Sequence, residues 1–457
     1  MNFIADFHVH SKYSRATSKD MNVENLARWA EIKGINVLGT GDFTHPNYFA
    51  ELRLRLTPAE EGLYRLKKNK SPTRFILTSE VSHIFTQNGK SHRVHIIIFA
   101  PDLETVAKIN AKLDKIGNIR SDGRPILGFP VKDLVKLVLD ISPKCFLVPA
   151  HAWTPWFSVF GASSGFDSIE ECFEEQAKNI YCIETGLSSD PPMNWRLSAL
   201  DKITLISNSD AHSPKKIGRE ANVFDCDLSY SEIISVLKTK DTKKFLHTIE
   251  FFPEEGKYHY DGHRNCNVIL SPEETKKHKN ICPVCKKPLT IGVCHRVELL
   301  ADRPVNYTPP NVIGYKSLIP LEEIIADALG QGVGTTGVDE EYNKLIDRGK
   351  NEFNILMDIP IEELRLLAPT RIVDGIRLVR ERKLNIIPGY DGVFGKISIF
   401  EKPNYDESIS LPELTLGQTG KNTDSENTPK TSTPVVKEEA ETSFRISETK
   451  PIQMRIF

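Results

Sequence analysis

Seven short apolar runs in the first half of the chain each end in a side chain that can bind a metal ion, and this regularity constrains the fold most. Helical periodicity between the runs makes strand and helix alternate, which predicts an α/β fold with a parallel sheet or barrel. Strands of such folds end at one shared edge, so we expect the polar side chains to converge on one opening. The runs and their polar residues are 3–9 with His8 and His10, 37–40 with Asp42, 75–78 with Glu80, 94–99 with His95, 146–148 with His151, 181–183 with Glu184, and 204–206 with Asp210 and His212.

Composition divides the 457 residues into several parts, since the chain exceeds what one hydrophobic core comfortably holds. The alternation of strands and helices occupies residues 1–245, a cysteine cluster occupies 246–305, and amphipathic segments predict a helical domain over 306–402. Residues 403–450 are rich in Thr, Ser, Glu and Lys and predict a disordered linker. The net charge of −2 gives no overall bias towards nucleic acid, so contact with a polyanion requires a local patch.

The chain shows no sign of a membrane or secretory destination. No apolar run is long enough to span a bilayer, and the first ten residues lack the charged and apolar regions of a secretory signal. Half of the eight cysteines cluster in the second part of the chain, which indicates metal binding rather than disulfides. We therefore expect a cytoplasmic protein.

Two pairs of alternating residues carry the strongest metal signal. His8 and His10 point to the same face of a strand, and Asp210 and His212 repeat the arrangement. Mixed imidazole and carboxylate ligands suit Zn²⁺, Mn²⁺ or Fe²⁺, and the candidates exceed what one ion needs. Two or three clustered divalent ions are the usual solution for hydrolysing phosphate esters, so phosphoester hydrolysis is the expected reaction.

A second metal site is predicted by paired ligands with two intervening residues. His263 and Cys266 form one pair, and Cys282-Pro-Val-Cys285 forms the other, which is the spacing of a closed structural zinc site. Cys294 or His295 could replace His263 in this set. The site would hold a small ribbon that carries exposed lysines for a DNA backbone, although such a charge run is also typical of a solvated face. These lysines are Lys276, Lys277, Lys279, Lys286 and Lys287.

The strand-end residues resemble the successive motifs of the polymerase and histidinol phosphatase (PHP) superfamily. The resemblance implies a distorted seven-stranded (β/α) barrel with two or three Zn, Mn or Mg ions, with Glu80, Asp210 and His212 as catalytic residues. Asp42-Phe43 stands where many members have Asp-His, so Asp42, His45 or Glu184 could complete the third metal site. The ligands that the resemblance implies are His8, His10, Asp42, Glu80, His95, His151, Asp210 and His212.

The order of barrel, zinc ribbon and helical segment resembles the endonuclease Q family, including the segments 259–263, 282–285 and 388–392. This resemblance implies incision of double-stranded DNA 5′ of a deaminated base (uracil, hypoxanthine or xanthine) or of an abasic site. A damaged nucleotide must leave the stack for a pocket. Trp153, Trp156 and Phe157 follow His151 and predict the walls of this pocket, with packing under the barrel rim as the alternative.

The last residues, 451–457, turn apolar again after the polar linker. Gln453, Ile456 and Phe457 resemble the bacterial pentapeptide that binds the sliding clamp, and the alternative is a frayed terminus with an incidental apolar patch. A different function also remains open. A small-molecule phosphatase of the histidinol-phosphate type needs only the barrel, and would leave the zinc ribbon and the helical region unexplained.

Overall fold

The computed structural model describes residues 2–68 and 70–400, which all lie in the structural unit Met1–Pro412. The predicted linker and the predicted clamp-binding residues Gln453, Ile456 and Phe457 lie outside the described residues and stay predictions. None of the helices in the described part of the chain is long and apolar enough to cross a membrane.

Strands and short helices alternate through the first half of the chain, and helices dominate after residue 317. The strands are β1 (Asn2–Asp6), β2 (Val37–Gly39), β3 (Leu56–Pro58), β4 (Leu63–Leu66), β5 (Arg74–Gln87), β6 (Lys90–Ala100), β7 (Ile126–Leu127), β8 (Phe146–Pro149), β9 (Cys182–Glu184), β10 (Thr204–Ile206), β11 (Ala221–Asp225), β12 (Phe245–Glu250), β13 (Asp261–His263), β14 (Val268–Leu270), β15 (Gly314–Ser317), β16 (Asn385–Ile387) and β17 (Lys396–Ser398). The α-helices are α1 (Val23–Lys33), α2 (Pro46–Arg55), α3 (Leu103–Leu113), α4 (Val131–Ile141), α5 (Ile169–Phe173), α6 (Pro191–Trp195), α7 (Tyr230–Thr239), α8 (Pro272–Lys277), α9 (Val293–Leu300), α10 (Leu321–Leu329), α11 (Thr336–Gly349), α12 (Ile361–Leu367) and α13 (Thr370–Arg380). Short 3₁₀ segments lie at Glu174–Asn179, Ser198–Leu200, Pro214–Lys216, Pro253–Glu255 and Arg264–Cys266, and a π-helical turn lies at Asn354–Asp358.

The central sheet confirms the predicted α/β class, but its strands run in mixed directions rather than in parallel. Its main path is β15-β12-β11-β1-β2-β5-β4-β3, and β6, β7 and β8 join at β5 and β6. β1, β2 and β5 are parallel, whereas β1 and β11 are antiparallel. β5 and β6 form a long antiparallel hairpin because Asn88 and Gly89, with φ of 51° and 75°, make the tight turn that joins neighbouring strands directly.

The sheet continues into the part of the chain that was predicted to be a separate domain. β12 crosses the predicted boundary at residue 245, and β15 pairs with it in parallel. β9 and β10 form a separate parallel pair, and the bridge between Val9 and Ala211 brings the segments after β1 and β10 side by side. The ends of these elements therefore meet where the predicted ligands lie.

Helix α1 shows how local sequence sets an element that supports the sheet. The Asn22 side chain accepts a hydrogen bond from the Asn25 amide, and Gly34 ends the helix in the left-handed conformation with φ of 90°. The apolar face is completely buried in the large core cluster, which also includes residues of the helical region. Helix and sheet are therefore parts of one hydrophobic core.

A buried ion pair connects α1 to the helical region. Lys33 Nζ lies 2.7 Å from Glu352 Oε2, and both side chains are only 5% exposed. Tyr342 donates to the same carboxylate oxygen at 2.6 Å, and the Leu321 amide donates to the other oxygen at 3.1 Å. Each partner therefore depends on Glu352 for its hydrogen bond in a space without solvent.

We expect Glu352→Ala to lower the free energy of unfolding by about 3–5 kcal/mol, because it leaves the charge of Lys33 buried without a partner. The double variant Lys33→Met, Glu352→Ala should recover part of this loss, since it removes the unpaired charge as well. Denaturant unfolding measures the free energy of unfolding of the single and the double variant. Asp140→Ala, which breaks the exposed Lys136–Asp140 pair, is the control and should cost about 0–1 kcal/mol. Equal losses for the buried and exposed pairs would contradict the prediction.

Candidate metal centre

Most of the predicted ligands lie at or just beyond strand ends, several of them on unusual backbone. His8 and His10 follow β1, whereas Glu80 and His95 lie in the middle of β5 and β6 rather than at the predicted strand ends. Asp42, His151 and Asp210 have positive φ values of 41°, 28° and 46°, a region that residues with a side chain seldom adopt. Backbone of this kind persists only where the surrounding structure holds it, and it is concentrated at functional sites.

Four of the predicted ligands form a first group. One ligand atom from each of His8, His10, Glu80 and Asp210 lies within 4.8 Å of all the others. His10 Nε2 is 3.0 Å from Asp210 Oδ1 and 3.2 Å from Glu80 Oε2, and His8 Nε2 is 3.6 Å from both carboxylates. The strand pair His8 and His10 therefore does present both imidazoles to one space.

Glu80, His95 and His151 form a second group of the same kind. Glu80 Oε1 lies 2.7 Å from His95 Nδ1 and 3.1 Å from His151 Nε2. Because Glu80 Oε2 faces the first group, the two oxygens of one buried carboxylate connect both groups. This is the arrangement expected of a carboxylate that bridges neighbouring ions.

The atoms that face this space fit metal ions. His8 Nε2, His10 Nε2 and Asp210 Oδ1 are buried and make no hydrogen bond of good geometry, although both nitrogens lie within 3.6 Å of Asp210 Oδ1 and unsatisfied buried polar atoms are rare. Asp42, Glu80 and Glu184 add completely buried carboxylates around the same space. Buried acids in such excess need cationic partners, and imidazole with carboxylate is a donor set for divalent transition metals.

Protonation of the histidines follows from their surroundings. Burial lowers the pKa of His95 to about 3, so its imidazole is neutral and keeps a lone pair. Burial by itself also lowers the pKa of His8, but the carboxylates of Glu184, Glu80 and Asp210 raise it well above its ordinary value. The same carboxylates that attract a proton to His8 would attract a cation in its place.

The remaining predicted ligands lie beside the two groups. His212 is half-buried, its ring centroid is 4.5 Å from that of His10, and its Nδ1 lies 2.9 Å from the carbonyl oxygen of Asp210. The Nε2 atom of His212 is thereby left for another partner. Asp42 does not belong to either group: its carboxylate lies 3.1 Å from His10 Nδ1 and accepts hydrogen bonds from Ser11 and Ser14.

Glu184 and His45, the other candidates for a third metal site, also have different partners. Glu184 lies 3.0 Å from His8 Nδ1 and accepts hydrogen bonds from the His151 amide and from Asn208. Glu184 therefore lies behind His8 and His151, where it can hold both residues in position rather than complete a third metal site. His45 Nε2 lies 3.2 Å from the carbonyl oxygen of Arg120, and its ring stacks on Tyr13.

Arg124 is a residue of this site that the sequence analysis missed. Its Nη1 donates to Glu80 Oε2 at 3.0 Å, and its side chain is 29% exposed. The preceding Gly123 packs so closely on Asp42 and Ser14 that a side chain there would collide with both. Arg124 lies just before the short strand β7, which carries no apolar run or paired ligand spacing, so the sequence does not indicate it.

The predicted zinc ligands His263, Cys266, Cys282 and Cys285 form a third group, with one ligand atom each within 4.8 Å of the others. His263 Nδ1 lies 3.5 Å from Cys285 Sγ. The two alternative ligands have other partners. Cys294 Sγ lies 3.1 Å from His259 Nε2, and His295 Nδ1 lies 2.6 Å from Asp261 Oδ2.

Two solved structures resemble this chain over most of its length. The lesion-specific endonuclease PfuEndoQ from Pyrococcus furiosus is 31% identical with a TM-score of 0.78, covering 91% of this chain and 98% of that one. Endonuclease Q in complex with a 27-mer duplex substrate bearing an abasic lesion at the active site is 30% identical with a TM-score of 0.76, covering 91% and 100%. This chain belongs to the endonuclease Q family.

Curated relatives of this endonuclease Q chain have no described activity. Protein YqxK of Bacillus subtilis is 28% identical over 409 residues, which are 86% of this chain and 98% of that protein. Protein MJ0043 of Methanocaldococcus jannaschii is 32% identical over 276 residues, which are 57% of this chain but only 33% of that protein. The family model of the MJ0043 C-terminal domain matches residues 320–383, which include α10 to α13.

The three aromatic residues predicted for the base pocket of this family member have different positions. The prediction was wrong for Trp153, which is completely buried and donates its Nε1–H to Asn194 Oδ1 at 2.8 Å, as the packing alternative required. Trp156 is 41% exposed, and its ring contacts Tyr258. Phe157 is half-buried, with its ring centroid 4.7 Å from that of His95. Of the three, only Trp156 and Phe157 expose part of their side chains to solvent.

Proposed function

We propose that this chain cuts double-stranded DNA on the 5′ side of a deaminated base (uracil, hypoxanthine or xanthine) or of an abasic site. Membership of the endonuclease Q family makes it a metal-dependent DNA-cleaving hydrolase. The observation that supports the proposal most is the convergence of His8, His10, Glu80 and Asp210 in a chain that resembles a lesion-bound endonuclease Q over 91% of its length. The predicted cytoplasmic, nucleoid-associated location follows from a DNA substrate and stays a prediction.

The two connected groups would hold the ions, with Glu80 between them. Divalent cations bound there would polarise the phosphate and lower the pKa of a water molecule towards neutrality. His212 holds its Nδ1 proton on the Asp210 carbonyl, which leaves Nε2 as a further ligand atom, and Asp42 orients His10. Arg124 uses one donor on Glu80 and has further N–H groups for a substrate phosphate oxygen.

The role that we propose for Glu184 makes a separate prediction. Glu184→Gln should weaken metal binding by about 10–100-fold, because the amide cannot accept from both His8 Nδ1 and the His151 amide as the carboxylate does. The protein is first freed of metal with a chelator and then titrated with Mn²⁺. DNA cutting and bound metal at each Mn²⁺ concentration measure the change in metal affinity. Glu60→Gln, which alters a surface pair with Arg74, is the control and should leave the titration unchanged. An unaltered titration for Glu184→Gln would remove Glu184 from this role.

DNA would approach along the surface that contains the zinc group. The five predicted lysines of the ribbon are all exposed and can meet phosphates, although Lys276 lies 3.5 Å from Glu298 and Lys286 donates to the Pro283 carbonyl. Two of the three arginines of α13 have partners within the protein. Arg380 donates to the carbonyl oxygens of Ile355, Leu356 and Ile359, and Arg377 pairs with Glu381. We therefore assign the positive surface to the ribbon rather than to α13, and we retain Trp156 and Phe157 as pocket residues.

One assay separates this proposal from a phosphatase of the histidinol-phosphate type. The purified protein is incubated with Mn²⁺, Mg²⁺ or Zn²⁺ and with duplexes that contain one uracil, hypoxanthine, xanthine or abasic site, with an undamaged duplex and histidinol phosphate in parallel. We expect a single cut 5′ of the lesion. Cutting confined to undamaged DNA, or turnover of the small phosphate alone, would overturn the proposal.

Two details of the architecture stay predictions, namely the seven-stranded barrel and the domain boundaries at 245, 305 and 402. The sliding clamp as a partner also stays a prediction. The parallel contacts among β1, β2 and β5, and the bridge from Val9 to Ala211, support the barrel. The four gathered zinc ligands support a structural ion in the ribbon.

A further inference from the structure

The loop between β16 and β17, residues 388–395, exposes large apolar side chains at its tip. Phe394 is 68% exposed and Val393 is 40% exposed. Scattered apolar residues on a surface are ordinary, but an exposed phenylalanine next to an exposed valine at the tip of a tight turn presents a compact apolar edge to solvent. We call residues 388–395 the tip loop.

The tip loop is held rigidly by side-chain hydrogen bonds to the zinc-binding part of the chain. Asp391 accepts from Thr290 Oγ1 at 2.6 Å and from the Arg264 amide at 2.8 Å. Asp391 and Gly392 have φ values of 42° and 85°, so the turn has the geometry that Asp-Gly favours. Both carboxylate oxygens of Asp391 are thus bonded to the zinc-binding part of the chain.

Backbone hydrogen bonds fasten the tip loop along its whole length. The Tyr260 amide donates to the Gly389 carbonyl at 2.9 Å, the Gly392 amide donates to the Lys257 carbonyl at 2.9 Å, and the Gly395 amide donates to the Glu255 carbonyl at 3.1 Å. These contacts fix the loop on both sides of Phe394. The aromatic ring is therefore presented without the entropy cost of ordering a mobile loop on binding.

The surroundings of the tip connect it to the metal centre. Tyr258 contacts the Trp156 ring at a centroid distance of 5.3 Å, and Thr154 Oγ1 both donates to the Trp156 carbonyl at 2.9 Å and lies 3.1 Å from His151 Nδ1. On the other side, the Tyr258 hydroxyl lies against Gly392. A continuous line of contacts thus runs from the ligand His151 to the tip loop.

Two cationic groups lie at the tip loop. Lys257 Nζ lies 4.5 Å from the Phe394 ring centroid, and the Arg264 guanidinium lies against Gly392. Both side chains are exposed. An apolar edge with two cations nearby matches a nucleic acid at a broken base step, where the ring meets unstacked base faces and the cations meet neighbouring phosphates.

We propose that Phe394, with Val393, is a wedge that enters the base stack of duplex DNA beside the lesion, and that Lys257 and Arg264 hold the adjacent phosphates. The proposal rests on the proposed function, and adds how this chain opens a duplex. A ring that fills the space left by the displaced nucleotide lowers the free energy of the opened duplex. The ring gives no such gain in free energy on DNA that is already unpaired, because no duplex has to be opened there.

The test compares cutting of two substrates by Phe394→Ala. One is a fully paired duplex with a single uracil, and the other has the same uracil within an unpaired bubble. We expect kcat/KM on the duplex to fall by about tenfold or more, the value of one lost base–aromatic stack, with less than about twofold change on the bubble. The fluorescence of a 2-aminopurine placed beside the lesion should rise less when Phe394→Ala binds the duplex than when the wild type binds it. Phe394→Trp should retain both properties.

Leu366→Ala is the matched control, because Leu366 on α12 is 83% exposed and is remote in sequence from the tip loop. It should cut both substrates like the wild type, and the unfolding midpoint and zinc content confirm that Phe394→Ala folds. Equal cutting of the duplex by Phe394→Ala and wild type overturns the wedge and would fit a tip that binds another protein. An equal loss on duplex and bubble also overturns it, and would fit a DNA contact that both substrates share. A wild type that cuts no damaged duplex overturns the proposed function instead.

Discussion

Asp210→Asn is expected to reduce DNA cutting by at least about 10³-fold, which corresponds to several kcal/mol of lost transition-state stabilisation. Asp210 Oδ1 lies 3.0 Å from His10 Nε2 in the first group, but the two atoms are not aligned for a good hydrogen bond. An amide retains the shape of the side chain but offers a neutral, weaker ligand atom to a cation. The outer surface that meets DNA is unchanged, so affinity for a uracil duplex should change by less than about threefold.

Cutting rates at saturating substrate and fluorescence anisotropy with labelled duplex separate these two effects for Asp210→Asn. Asp201→Asn provides the matched control, since Asp201 pairs with Arg303 on the surface and contacts no predicted ligand. Its cutting should equal that of the wild type. Full activity in Asp210→Asn would exclude Asp210 from the metal centre, and a parallel loss of DNA affinity would indicate that the substitution had altered the fold.

The double variant Cys282→Ser, Cys285→Ser is expected to lose one bound zinc per chain and to unfold the region around β13, β14 and α8. This region has only a small apolar cluster, in which Cys266, Cys282 and Cys285 themselves take part. A structural zinc contributes about 10–16 kcal/mol of binding free energy, far more than so few apolar contacts can replace. Because the exposed lysines lie in the same segment, affinity for DNA should fall as well.

Metal analysis of protein purified without chelator measures the loss of zinc, and limited proteolysis locates the unfolded segment. Cys294→Ser is the matched control, because Cys294 lies beside His259 and not within the four-residue group. It should retain the zinc, and the double variant should retain the ions of the metal centre. Loss of zinc in Cys294→Ser with retention in the double variant would reverse the assignment of ligands.

Local pattern was enough to predict most secondary structure near the site. The region 306–402 that was predicted to be helical contains α10 to α13, because apolar periodicity and helix caps act within a few residues. The direction of the strands was harder to predict. The turn at Asn88 and Gly89 makes β5 and β6 antiparallel, whereas the alternation of strands and helices predicted parallel strands.

By itself, the sequence determined which residues gather. Alternation places His8 and His10 on one face, and the paired spacing brings together the four zinc ligands, because both patterns follow from backbone geometry that repeats locally. Glu80 and His95 reach the metal centre from the middle of β5 and β6 rather than from strand ends. Only the tertiary structure decided that Trp153 packs in the core, that Arg124 reaches Glu80, that Glu184 and Asp42 orient histidines, and that Phe394 is exposed. Those outcomes depend on contacts between residues far apart in the chain, and side-chain burial is set by what the whole fold places against each position.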